Sequence, residues 1–139
     1  MSTIEAPNPH KTDGIRRVFN AAGYSMEGLG SAFKHEAAFR QEAILALFLI
    51  PLAIILPVGL VGAVLMISSV FLVLMVELLN SAIEWVVDYI SLEKHPYAKR
   101  AKDMASGAVF LSLLNVAIVW GLVIAYNQNA VGTFIAQLW

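Results

Sequence analysis

Positions 76–90 read VELLNSAIEWVVDYI, an apolar stretch that nonetheless carries Glu77, Asn80, Ser81, Glu84 and Asp88. On a helix turning about 100° per residue, and measured from Glu77, Asn80 lies about −60° round the axis, Ser81 about +40°, Glu84 about −20° and Asp88 about +20°. The strongly polar side chains therefore share one face, while Leu78, Leu79, Ile83, Val86 and Val87 cover much of the remainder. Along the axis Glu84 is about 10 Å from Glu77 and Asp88 about 16 Å. Joined by a carboxylate from a separate helix and a nearby Lys, such a ladder can hold Mg²⁺ on a nucleotide, since the ion takes one or two protein carboxylates and completes its shell with phosphates and water. A deeper carboxylate can take a proton from a hydroxyl presented at a membrane surface. A proton or ion pathway through a helical bundle would use the same ladder.

The elements that must carry this face are membrane helices. The chain has 139 residues, 59% of them hydrophobic, and a mean hydropathy of +0.73, values of an integral membrane protein rather than a soluble domain. Positions 43–76 contain no Asp, Glu, Lys or Arg. That run exceeds the roughly 20 residues one helix needs to cross, so it holds most of two spans. The segment PVGLVG at 57–62 supplies the turn between them, and Pro51 bends the first span rather than ending it. The expected architecture is all-α: a loosely ordered 1–14, an amphipathic surface helix over 15–39, and spans at 40–57, 62–88 and 101–126. A polar loop occupies 89–100, and a tail 127–139. Ile15, Val18, Phe19, Ala22, Met26, Leu29 and Phe33 form the apolar stripe of the first helix. Gly23, Gly28 and Gly30 weaken it, which predicts a break or bend around 28–30. Pro96 fits the first turn of the third span.

Charge sets the orientation. All nine Lys and Arg precede or open the first span, or lie between the second span and the opening residues of the third, two regions on one side of a three-span protein. The positive-inside rule makes that side, with the N-terminus, cytoplasmic. A net charge of −1 gives no pull towards nucleic acid, and the absence of cysteine excludes disulfides, thiolate metal sites and cysteine nucleophiles. The N-terminal stretch is polar and charged, and no cleaved signal peptide is expected.

Three clusters converge at the cytoplasmic surface: EAAFRQE at 36–42, the ladder, and Lys102-Asp103 with Ser106 one turn deeper. Blander explanations exist for several members. Glu36 and Arg40 could form an (i, i+4) helix pair, Glu42 and Asp88 could face water, and Lys102 could snorkel. Glu77 resists such an explanation. It lies three turns inside Asp88, where a charged carboxylate costs about 2.5–3.5 kcal/mol on insertion scales, and Asn80 and Ser81 already supply hydrogen bonds for packing. No GxxxxGK[ST] loop, kinase GxGxxG or HRD motif is present. From the residues alone, the site is an acidic intramembrane site open to the cytoplasm, with phosphoryl transfer and ion conduction both open.

The segments AAGYS (21–25), EAAFRQE (36–42), ELLNSAIE (77–84) with VVD (86–88), and AKDM (101–104) resemble the prokaryotic diacylglycerol kinase family over residues 15–125. That resemblance implies a three-span, homotrimeric lipid kinase of the bacterial inner membrane, with active sites shared between subunits and no ordinary ATP cradle. It implies ATP and Mg²⁺ as co-substrate and cofactor, diacylglycerol as acceptor and phosphatidic acid as product. Glu77 matches the family's catalytic base, and Glu36 and Glu84 the carboxylates that hold the metal–ATP complex. Lys102, Asp103 and the loop Glu93, Lys94 and His95 match nucleotide contacts. Arg17 and Tyr24 match residues near nucleotide and substrate, Asn80 a polar residue lining the site. Ser25, Arg40, Gln41, Glu42 and Ser106 match its lipid side. Lys94 departs from the family, which usually has an aromatic residue there, and the tail after Tyr126 is longer than usual. Related members phosphorylate undecaprenol; AAGYS and EAAFRQE resemble the diacylglycerol branch more closely.

Overall fold

The computed structural model describes residues 14–90, 93 and 95–138, and all regular structure among them is helical. Five helices follow in order: α1 Gly14–His35, α2 Ala37–Ile55, α3 Gly59–Ile90, α4 Pro96–Tyr126 and α5 Gln128–Ala136. Helices α2, α3 and α4 are each long and apolar enough to cross a membrane, so the protein is a multi-pass membrane protein. Residues 1–13, where loose order was expected, lie outside the described residues.

The first helix departs from expectation. No break occurs at Gly28 or Gly30; α1 runs unbroken to His35. Each glycine costs about 1 kcal/mol relative to alanine, too little to interrupt a helix with a continuous apolar stripe. The interruption falls instead at Glu36, which takes an extended conformation (φ −102, ψ 113) as the N-cap of α2. Around it the hydrogen bonding is nearly continuous, since Glu36 N donates to Ala32 O and Arg40 N to Glu36 O. The Arg40 guanidinium then donates to the carbonyls of Phe33 (3.0 Å) and Lys34 (3.4 Å), satisfying acceptors that α1 leaves open at its end. Helix α1 thus ends at His35 and α2 begins at Ala37. Ile15, Val18, Phe19, Met26 and Phe33 stay exposed, as on a helix lying against a bilayer surface.

Pro51 sits inside α2, which continues through it. The chain then turns at 56–58, and Gly59 opens α3 with φ +71, a conformation that favours glycine. One turn on, a Cβ at Gly62 would meet Val123 Cγ1 at 3.0 Å and Val58 Cβ at 3.1 Å, so glycine permits the close approach of α3 and α4. At this end, opposite the acidic residues of α3, Ala53, Val58, Met66 and Val131 form a buried core, with Val119, Trp120 and Val123 packed against it. Val131 belongs to α5, so the tail contributes a helix to this core.

At the other end, α4 starts at Pro96 rather than 101. His95 is its N-cap, its ring nitrogen Nδ1 accepting from Tyr97 N (3.3 Å), and Pro96 occupies the first turn. The connection between α3 and α4 therefore shrinks to the few residues after Ile90.

Candidate active site

The ladder's order of burial follows its register on α3. Glu77 is 4% exposed and Ser81 6%. Asn80 and Glu84 are half-buried, and Asp88 is exposed. Asn80 Nδ2 donates to Glu84 Oε1 at 3.3 Å, which orients that carboxylate. Asn80 Oδ1 and Ser81 Oγ are buried without a hydrogen-bond partner among the described residues. Ser25, Ser69 and Ser112, by contrast, each return their hydroxyl to a carbonyl of their own helix. Unpaired buried polar atoms are costly, and here they cluster on the ladder.

Helix α2 brings two more acids to this region. Glu36 and Glu42 both lie within electrostatic reach of Glu77, as does Glu84. Glu42 is half-buried with Oε2 unpartnered among the described residues, and it borders a small pocket of about 50 Å³ lined by Ala46, Val70, Val73 and Val116 among others. Glu42 thus does not simply face water. Glu36 accepts a hydrogen bond from Trp85 Nε1 at 2.6 Å, and so joins the α1–α2 junction to α3. Trp85 was not among the residues singled out from sequence. Its position next to Glu84 marks the flank of the ladder, but a contact spanning 49 residues leaves no periodic signal. Between α1 and α3 a cleft of about 500 Å³ opens, lined by Ser25, Ser31, Glu36, Ser81 and Trp85 among others.

The remaining residues are placed less centrally. Lys102, half-buried, pairs with Asp88 at 2.6 Å and ties α4 to α3, which gives Asp88 a partner at the membrane edge. Asp103 pairs with Lys99 on the exposed side of α4. Among the described residues Arg40 serves the α1 carbonyls and not Glu36, so the blander (i, i+4) pairing of the two does not form. Arg17, Tyr24, Gln41, Glu93, His95 and Ser106 are exposed, and neither Arg17 nor Tyr24 lines the cleft. Lys94 lies outside the described residues.

The donor set fits Mg²⁺. Among the described residues no three acids or histidines gather as a self-sufficient metal cage. A nucleotide-borne Mg²⁺ needs only one or two protein carboxylates. Glu36 and Glu84 each commit one oxygen to a neutral donor, Trp85 and Asn80 respectively, and keep a second oxygen free of hydrogen bonds among the described residues.

Three spanning helices with carboxylates collected at one end define a multi-pass, all-α membrane protein with a buried acidic site. The chain belongs to the prokaryotic diacylglycerol kinase family, whose model matches residues 23–124. It is 48% identical over 120 residues to the diacylglycerol kinase of Pseudomonas aeruginosa, covering 86% of this chain and 98% of that protein. It is 50% identical over 112 residues to that of Haemophilus influenzae, covering 81% and 95%. With the diacylglycerol kinase of Escherichia coli K12 it shares 47% over 111 residues, covering 80% and 91%. The chain is thus a membrane kinase, with ATP as the co-substrate that membership implies.

Proposed function

We propose that the protein transfers the γ-phosphate of ATP to the primary hydroxyl of diacylglycerol, giving phosphatidic acid and ADP. The acceptor oxygen forms a bond to the γ-phosphorus as the bond to the ADP oxygen breaks, and the hydroxyl proton passes to Glu77. Phosphoryl transfer asks mainly for positioning and charge neutralisation, which suits a site without a nucleotide-binding loop. The observation that carries this reading is the near-complete burial of Glu77 among Glu36, Glu42 and Glu84, in a chain of this family. Glu36 and Glu84 would hold Mg²⁺, with Asn80 orienting Glu84. Mg²⁺ bound with ATP neutralises charge on the phosphate oxygens. Lys102 and Asp103, with Glu93, Lys94 and His95, form the nucleotide side, and Arg17 and Tyr24 act near nucleotide and substrate. Ser25, Arg40, Gln41, Glu42 and Ser106 flank the lipid.

The same reading places the protein in the bacterial inner membrane, with residues 1–42 and 89–103 cytoplasmic, where ATP is available. It assembles as a homotrimer with shared sites. In favour of this, Phe110, Leu111 and Leu114 on α4 are exposed among the described residues, and the small Gly107 and Ala108 suit close helix contact. The test is transfer of labelled γ-phosphate from ATP to a lipid panel by the purified protein in micelles. Diacylglycerol should be labelled. Labelling of undecaprenol alone would overturn the acceptor, and labelling of neither would sink the kinase reading. Dissipation of a proton gradient in vesicles without nucleotide would favour an ion pathway instead. Crosslinking should stop at the trimer, and a ladder ending at the dimer would contradict that assembly.

A further inference from the structure

Glu36 holds an unusual position for a carboxylate. Its backbone is extended at the start of α2, where a side-chain acceptor ordinarily caps the helix, yet its side chain makes no capping bond. Arg40, one turn away, is committed to the carbonyls of Phe33 and Lys34. Among the described residues the partner of Glu36 is the indole of Trp85, across from it on α3, in a short N–H···O hydrogen bond of 2.6 Å. Both side chains line the cleft between α1 and α3.

The chemistry of the donor matters. An arginine or lysine in this place would neutralise the carboxylate and compete with a cation for it. An indole has one N–H, no acceptor and no charge. It can fix the orientation of a carboxylate and occupy one oxygen while leaving the negative charge and the other oxygen available. Neutral outer partners of this kind orient metal ligands and tune their affinity.

We propose that Trp85 is a positioning residue that holds the Glu36 carboxylate for a divalent cation bound with nucleotide. The proposal rests on reading Glu36 as a metal ligand. Trp85 is also 62% exposed near the cytoplasmic end of a membrane helix, where an indole serves equally as an interfacial anchor. Anchoring needs the ring and its amphipathic character. Positioning needs the N–H on the carboxylate.

The experiment is Mn²⁺ binding, followed by electron paramagnetic resonance, to the purified full-length protein in micelles with a non-hydrolysable ATP analogue. Trp85→Phe, which keeps an aromatic ring and removes the N–H, should weaken Mn²⁺ binding roughly ten- to a hundredfold without shifting the thermal midpoint. Equal affinity in the two proteins overturns the proposal and leaves Trp85 an anchor. A wild-type protein that binds no Mn²⁺ removes the metal role of Glu36, and the proposal with it. Neither result depends on which lipid is phosphorylated, so failure of the acceptor assignment reads out separately. Should the variant fail to fold, the wild-type Trp85 indole N–H resonance is followed by ¹⁵N NMR as Mg²⁺ is added with the analogue. A shift is expected as the cation draws on the shared carboxylate, and an unmoved resonance overturns the proposal.

Discussion

Among the described residues Glu77 is the one acidic side chain that the fold buries, at 4% exposure, and no helix-packing need accounts for it. Placing a carboxylate at that depth opposes stability, so Glu77→Gln should unfold at a thermal midpoint no lower than wild type. A fall of several degrees would make the carboxylate structural. Asn80 matters through Glu84: Asn80→Ala removes the donor that orients that carboxylate. Its KM for Mg·ATP should rise by roughly tenfold, with diacylglycerol KM little changed. Equal increases in both would make Asn80 a general packing residue. The Asp88–Lys102 pair is partly exposed at both ends, with side-chain exposures of 47% and 35%. Asp88→Asn should therefore alter stability by no more than about 1 kcal/mol, measured by unfolding in micelles. At this scale the sequence was most informative about register. Helical periodicity alone orders Glu77, Ser81, Glu84 and Asp88 on one face, and their burial follows it. Trp85 escaped because its partner is Glu36, 49 residues away on another helix. The Asn80 and Ser81 orphan atoms likewise become visible only when packing is known.

At the level of elements, the long charge-free run and the prolines carried enough information to count the spans. They could not locate the turn between α1 and α2. Glycine propensity pointed to 28–30, whereas the chain turns at Glu36, where Arg40 can satisfy the open carbonyls of α1 and Trp85 can hold the side chain. Tertiary partners, not local propensity, fix that corner. The end of the bundle away from the acidic site depends on Gly62, which lets Val123 and Val58 close on α3. Gly62→Val should cost about 1–3 kcal/mol through overpacking, read as a lowered unfolding midpoint; a midpoint equal to wild type would mean that α3 and α4 separate without penalty. The α5 helix lies beyond the region matched by the family model, yet it contributes Val131 to the same core. Its hydrophobic spacing is too short to have announced a docked helix from sequence.

For the whole molecule, the distribution of basic residues and the three spans agree on a single orientation, with the acidic site on the side that carries all the Lys and Arg. The chain contains no cysteine, so single-cysteine variants report topology without background. Lys99→Cys should react with a membrane-impermeant maleimide only from the cytoplasmic side, and Asn129→Cys only from the periplasmic side. Reversed labelling would separate the site from cytosolic ATP. The placing of Glu77 as proton acceptor is tested most directly by the turnover of Glu77→Gln on diacylglycerol with saturating Mg·ATP, alongside its affinity for an ATP analogue. Loss of general-base catalysis should lower kcat by roughly 10²–10⁴-fold with nucleotide affinity close to wild type. A kcat within tenfold of wild type would contradict it.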